Sequence, residues 1–225
     1  MNQRRTTYRY KSMAPSHTHE YLWSHVESFL GRTNPGRVLE VGCGNGSLAG
    51  RVRSSGMEYI GIDTSESGIE IARRACPEAN FEVASAYDDL LGRFGSFAVV
   101  ISLEVIEHLF SPREFASRIF DVLEEEGVAM ISTPYHGYFK NLVLSLTGRM
   151  DAHFTALWDG GHIKFWSIST MGRLLTEAGF VDISFDRVGR VPILAKSMVV
   201  TARKPMAAKS ETSQIGSPSV GGFSK

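Results

Sequence analysis

Cysteine is nearly absent: Cys43 and Cys76 are the only two in 225 residues, and neither sits in a spacing that suggests a metal motif. That excludes a disulfide framework and makes a reducing, cytoplasmic setting the expectation. Net charge is absent too, with 24 Lys and Arg against 24 Asp and Glu. No overall field gathers nucleic acid or acidic lipid, which points to a small or neutral partner. No apolar run approaches the length of a membrane span, no internal repeat recurs, and the N-terminus lacks the apolar core of a secretory signal. What is present is ordinary for a soluble globular protein: 43% hydrophobic and 21% charged residues, enough for one domain with a sizeable core.

The chain divides into three parts. Residues 1–16 carry Arg4, Arg5, Arg9 and Lys11 with no acid before Glu20 and read as a disordered basic tail rather than a transit peptide. Residues 17–205 form the expected domain, and 206–225, rich in Ser, Gly and Lys, read as a second disordered tail. Within the domain, His17 to Leu30 has helical spacing, and short apolar runs at Arg37–Val41, Met57–Asp63, Phe81–Ala84, Phe97–Ser102 and Gly127–Ser132 read as buried strands. Helical patterns follow them at Ser47–Arg53 and Ser65–Ala75. Ser111-Pro112-Arg113-Glu114 predicts a capped helix start running to about Glu125. Alternating strands and helices predict an α/β, doubly wound, mostly parallel sheet. Residues 134–166 break that rhythm as a lid insertion. Helix Ser167–Ala178 follows, and Phe180–Val188 with Lys196–Arg203 read as an antiparallel closing hairpin, for seven strands in all.

The most informative stretch is Glu40-Val41-Gly42-Cys43-Gly44-Asn45-Gly46. A strand ends in three alternating glycines, which permit positive φ and close approach of a ligand. A dinucleotide fingerprint would place its third glycine at position 47, which is Ser47. Glu40 is a poor neighbour for a pyrophosphate and a good one for a cationic ligand. The second strand ends in Asp63, 17 residues after Gly46, placed to accept hydrogen bonds from a ribose diol. From about Val38 to Lys204 the chain resembles the class I S-adenosylmethionine (SAM)-dependent methyltransferases, Glu40 to Gly46 matching their first motif and Asp63 their second-strand acid. The resemblance implies a Rossmann-like methyltransferase fold. It also implies SAM contacts at Glu40, Gly42, Cys43, Gly44, Gly46, Asp63 and Thr64, adenine contacts at Ser85, Ala86 and Tyr87, and methionine-side contacts at Ser102 and Leu103. The acid usual beside the adenine is absent from that stretch.

The second informative stretch, Ser102 to Leu109, follows the fourth strand. If it forms a helical turn, Glu104, Glu107 and His108 share one face at i, i+3 and i+4. Such a set suits a divalent cation, but spacing alone favours a solvated helix start whose acids prefer the first turn. Asp159 to Ser167 then brings His162 and the pair Lys164-Phe165. Here the chain resembles the ubiquinone-biosynthesis O-methyltransferases and, more distantly, the small-RNA 3′-terminal 2′-O-methyltransferases. That resemblance implies a divalent metal (Mg, Mn or Zn) on Glu104, Glu107, His108 and His162, or the same side chains as a base and hydrogen-bond network, with His108, His162 and Glu107 as the catalytic candidates. His17, His19 and His25 read as surface residues; His136 and His153 lie in the lid.

Methyl transfer requires an oxygen aligned with the sulfonium methyl and made nucleophilic, which a metal or a histidine base supplies. The favoured function is therefore O-methylation of a hydroxylated small molecule, a quinol, catechol or natural product. The alternatives are RNA 3′-end 2′-O-methylation, metal-independent small-molecule N- or C-methylation, and a non-catalytic cofactor-binding interaction protein. Tyr135, Phe139, Phe154, Trp158, Phe165 and Trp166 are pocket or packing aromatics. Tyr138, Phe139, Leu142, Val143 and Leu146, with Lys140 and Arg149, form an amphipathic lid helix. Core packing is the favoured use of that helix, ahead of membrane contact.

Overall fold

A computed structural model describes residues 17–207. The expected tail at 1–16, and that at 206–225 beyond Ala207, lie outside the described residues. Seven strands form one sheet: β1 (Arg37–Val41), β2 (Glu58–Asp63), β3 (Asn80–Val83), β4 (Phe97–Leu103), β5 (Leu123–Pro134), β6 (Val181–Val188) and β7 (Ser197–Arg203). Their order is β3-β2-β1-β4-β5-β7-β6. Pairs among β1 to β5 are parallel, and β7 runs antiparallel to both β5 and β6. The expected doubly wound, mostly parallel sheet and closing hairpin are both present.

β4 is a nearly continuous apolar run, and β1 is buried from Val38 to Val41 with Glu40 among its apolar residues, because helices cover both faces of the sheet. Successive side chains point to opposite faces, so Val38 packs in one core cluster and Leu39 in the other, and Val99 and Val100 divide the same way. One face is covered by α1 (His17–Thr33), α2 (Ala49–Ser54) and α3 (Glu66–Ala75), through Leu22, Val26, Val52 and Ile69. The other is covered by α4 (Leu90–Phe94), α5 (Pro112–Val122) and α8 (Ile168–Glu177), through Leu90, Phe115, Ile119, Met171 and Leu175. Local chemistry sets the starts. The Ser65 side chain accepts from Gly68 N at 3.2 Å, and Ser167 and Thr170 close a capping box on α8.

Three expectations need correction. The helix after Ser111 stops at Val122, not near Glu125. Leu123 is extended and pairs with Phe97, so burial of Leu123 against the sheet overrides the helix propensity of Glu124 to Glu126. Ser111 makes no side-chain cap bond; its N–H donates instead to the Tyr87 hydroxyl at 3.0 Å. The lid does contain helices, α6 (Tyr138–Leu146) and α7 (Met150–Phe154), but α6 has no buried residue. Tyr138 is 75% exposed and Leu146 78%, so the lid helix does not pack into the core, whose two faces are already covered by other helices.

The chain reverses its winding between β1 and β4, where Val38 pairs with Val99 and Glu40 with Ile101. That register sets the glycine corner after β1 beside the Glu-rich turn after β4, in the crevice where open α/β sheets bind ligands. Gly42 makes the approach possible: its φ is +84°, and a Cβ there would lie 2.3 Å from a Val105 methyl. Gly42→Ala is therefore expected to lower stability by about 2 kcal/mol or more. Gly50→Ala, on an open face of α2 with no atom within 4 Å of the added methyl, is expected to be neutral or stabilising by roughly 0.5 kcal/mol. Denaturant unfolding of the two variants checks this; equal stabilities would contradict it.

Candidate active site

The glycine corner is held from both sides. Gly42 N and Cys43 N donate to Ile62 O at 2.8 and 3.0 Å, and Gly46 N donates to Cys43 O at 2.9 Å. Asp63 closes the corner: Oδ2 accepts from Gly44 N at 2.9 Å and Oδ1 from Ser65 N at 2.7 Å. Its expected role toward a ribose is therefore joined by a structural one, and Thr64 beside it is exposed. Burial raises the Asp63 carboxyl above its ordinary value, against the pull of those N–H donors. Glu40 lies deeper than expected. It is 1% exposed, accepts from the Tyr59 hydroxyl, and is pushed up to about 7 by burial.

On the adenine side, Ser85 N donates to Asp88 Oδ2 at 3.0 Å and Tyr87 N to Ser85 Oγ at 3.2 Å. Asp88 thus supplies an acid to this turn, one residue beyond the stretch where one was sought. Ala86 packs against the core. Ser102 is fully buried and donates to Val41 O at 2.9 Å, tying β4 to β1, and Leu103 is buried next to it.

The turn after β4 departs from the expected helix. Only Ile106–His108 forms a short 3-10 turn, and Glu104 has a φ of +55°, so Glu104, Glu107 and His108 do not share a helical face. Glu104 N donates to Ser132 O and Oγ, each at 3.1 Å, while Ser132 Oγ donates back to Glu104 Oε1 at 2.8 Å. These bonds hold a conformation rarely adopted by a residue with a side chain.

Three of the four expected ligands do converge. Glu107, His108 and His162 offer atoms within 4.8 Å of one another, and Glu107 Oε1 lies 3.9 Å from Nε2 of each histidine. Glu104 stands outside this trio, turned to Ser132. His162 arrives from the lid because Ile163 N and Lys164 N both donate to Glu107 O, at 2.9 and 3.0 Å. His108 Nδ1 faces Gly160 O and Gly161 O at 3.0 and 3.2 Å. Carbonyls only accept, so Nδ1 carries the proton and Nε2 presents a lone pair to the site.

The trio fits a divalent ion. Glu107 is 1% exposed. Its Oε2 accepts from Thr133 Oγ1 at 3.0 Å, and its buried Oε1 has no hydrogen-bond partner. An orphaned carboxylate oxygen between two imidazole nitrogens is costly unless something cationic joins it. Two ligands each about 2.1 Å from one ion are at most about 4.2 Å apart; both Glu107-to-histidine separations, at 3.9 Å, meet that limit, and the three donor atoms together lie within 4.8 Å. Burial, then the nearby Glu104 charge, raises Glu107 well above the ordinary range, and burial raises Glu104 to about 7. Burial and His108 lower His162 to about 4.

Several contributors escaped the sequence reading. Thr133 and Ser132 end β5 beside the turn, and register carries the signal, since Leu103 pairs with Ser132. Tyr21, within the helical spacing of His17 to Leu30, bonds Ser197 Oγ at 2.8 Å. Burial, with Glu104 and Glu107 adding to it, pushes its hydroxyl up to about 12. The lid aromatics form a cluster: His136 stacks on Phe154 at 5.8 Å and meets Phe165 edge-on at 5.0 Å.

Residues 16–184 match the family model described as "Methyltransferase domain". The ubiquinone biosynthesis O-methyltransferase of Mesorhizobium japonicum is 30% identical over 125 residues, 54% of this chain and 49% of that protein. The protein of the same name from Ruegeria pomeroyi is 30% identical over 162 residues, 69% of this chain and 63% of that one. The chain therefore spans between about half and under two thirds of these relatives' length. In structure, magnesium protoporphyrin IX methyltransferase from Synechocystis PCC 6803, solved with bound SAH, has a TM-score of 0.63. It is 18% identical, with 80% of this chain and 81% of that chain covered; the fold is shared.

Burial of Glu40 has a measurable consequence. The unfolded chain gives up its proton near 4.5, whereas the native chain holds it until about 7. Native Glu40 thus binds more protons in that window, and stability falls as pH rises through it, by up to about 3 kcal/mol. Glu104 adds a loss of the same sign. Denaturant unfolding between pH 4.5 and 8 should show a shallower decline for Glu40→Gln than for the native chain; equal slopes would contradict the burial argument.

Proposed function

We propose a function for this chain, which belongs to the methyltransferase domain family: SAM-dependent O-methylation of a hydroxylated small molecule, a quinol, catechol or related compound, assisted by a divalent metal. The observation that carries the reading is the buried, unpartnered Glu107 Oε1 aimed at His108 Nε2 and His162 Nε2, one turn away from the glycine corner. A cytoplasmic setting is part of the proposal. Among the described residues no helix is long and apolar enough to cross a membrane.

The glycine corner would hold the donor, its backbone N–H groups and Asp63 accommodating the nucleoside half. A cationic sulfonium is favoured near the carboxylates that end β1 and β4. Glu107, His108 and His162 would hold the ion, and when bound it supplies Lewis-acid polarisation that lowers the pKa of a hydroxyl. Thr133 fixes one Glu107 oxygen, and the carbonyls of Gly160 and Gly161 fix the His108 ring, so both ligands enter in set orientations. Glu104, tied to Ser132 beside the trio, would accept the acceptor's proton. The oxygen then attacks the methyl carbon in line with the departing thioether, and positioning supplies much of the rate.

Transfer of labelled methyl from SAM to a catechol panel, with chelator and then with Mg, Mn or Zn restored, tests this. Activity should fall on metal removal and return with one of the ions. Glu107→Ala should lose 100-fold or more in turnover, on the order of removing a transition-state contact, with SAM affinity changed by less than about threefold. Activity indifferent to thorough chelation would remove the metal from the mechanism; loss of SAM binding in Glu107→Ala would place Glu107 in the donor site.

A further inference from the structure

A cavity of about 410 Å³ opens between the lid helix α6 and the segment linking β6 to β7. Three cations line it: Lys140 from α6, and Arg190 and Lys196 from the linking segment, with His153 beside them. Val143, Leu144 and Leu194 supply apolar wall. None of the three cations is ion-paired with a carboxylate among the described residues. Lys140 is only partly exposed; its Nζ donates to Tyr135 O at 3.1 Å. Lys196 Nζ stands 5.3 Å from the Tyr21 ring centre.

Like charges gathered on one cavity repel, and burial of a lysine amplifies the cost. Both penalties reverse if an anion enters. Hydrogen bonds join the cavity to the acceptor centre: Lys140 Nζ donates to Tyr135 O at 3.1 Å and Tyr135 N to Lys196 O at 2.9 Å, while Thr133, two residues before Tyr135, donates to Glu107 Oε2 at 3.0 Å. The donor corner lies at β1, on the other side of that centre.

We infer that the acceptor carries an oxyanion, a carboxylate or a phosphate-type group, that seats between Lys140 and Arg190 while its hydroxyl reaches Glu107, His108 and His162. The inference rests on the acceptor reading above. Guanidinium and ammonium donors form charge-assisted hydrogen bonds to an oxyanion, the guanidinium in a two-pronged fashion. The apolar wall takes the acceptor's hydrocarbon body. A half-open cavity with three cations, in a chain without net charge, suits one small anion better than a polyphosphate strand.

Matched ligands test it by equilibrium binding in the presence of S-adenosylhomocysteine: 3,4-dihydroxybenzoate, its neutral methyl ester, and 3,4-dihydroxyphenylphosphonate. The acid should bind roughly tenfold or more tightly than the ester, and the ratio should fall to within about twofold in Arg190→Gln. Lys140→Gln reads the same ratio should Arg190→Gln not fold, with circular dichroism as the check. A stronger Arg190-dependent preference for the phosphonate would support the same site and identify its anion as phosphate-type. Equal or undetectable binding of acid and ester, or a preference that survives both folded variants, would overturn the inference. So would a short oligoribonucleotide that binds through Arg190 where the acid does not. A charge preference without methyl transfer to any acceptor would fail the O-methylation reading and leave the anion site standing.

Discussion

The pairing of β1 with β4 is the constraint on which the rest depends. Because Glu40 lies opposite Ile101, the segments leaving the two strands emerge side by side, one as a glycine corner and one as a turn bearing Glu104, Glu107 and His108. A side chain at Gly42 would displace Val105, which occupies the space a Cβ would take. Ser102 reinforces the junction by donating to Val41 O. Two functional loops are thereby fixed to one another through sheet hydrogen bonds rather than through mobile contacts, the support that a precisely aligned transfer needs.

Electrostatics around that junction are graded across the molecule. Behind the glycine corner, burial raises the proton affinity of Glu40 beside Tyr59; in front, burial raises that of Glu104 and Glu107, with the Glu104 charge adding to the rise at Glu107. Beyond them the lid brings imidazoles and Lys140, and the segment linking β6 to β7 brings Arg190 and Lys196. On the proposed reading, a cationic donor meets the acidic end and an anionic acceptor the basic end, with the reacting atoms between. Burial, and after it the neighbouring cationic and imidazole groups, lowers both Lys140 and His162 below their ordinary values.

Legibility in the sequence followed locality. Arg37–Val41 and Phe97–Ser102 were readable because a strand buried on both faces is a short apolar run whatever its neighbours, and Gly42, Gly44 and Gly46 because positive φ selects glycine. Glu107, His108 and His162 were recognisable through family resemblance, since nothing in spacing alone brings a lid histidine to a turn 54 residues earlier. Glu104 was misjudged geometrically: periodicity assumes a helix, and its backbone instead takes the left-handed region under two bonds from Ser132, a residue on another strand. Thr133, Ser197 and Tyr21 were invisible for the same reason, being placed by register and helix docking. The α6 apolar residues show the opposite failure, for an amphipathic pattern states that a face is apolar without stating what covers it.

The central claim is that the donor methyl lies next to an ion held by Glu107, His108 and His162. Manganese is paramagnetic and magnesium is not, so nuclear relaxation of SAM carrying a ¹³C-labelled methyl, bound with either ion, reads their proximity directly. The account predicts strong manganese-dependent broadening of the methyl signal in the native chain, none with magnesium, and its loss in His162→Ala with SAM still bound. One manganese bound per chain with the methyl signal left sharp would contradict it.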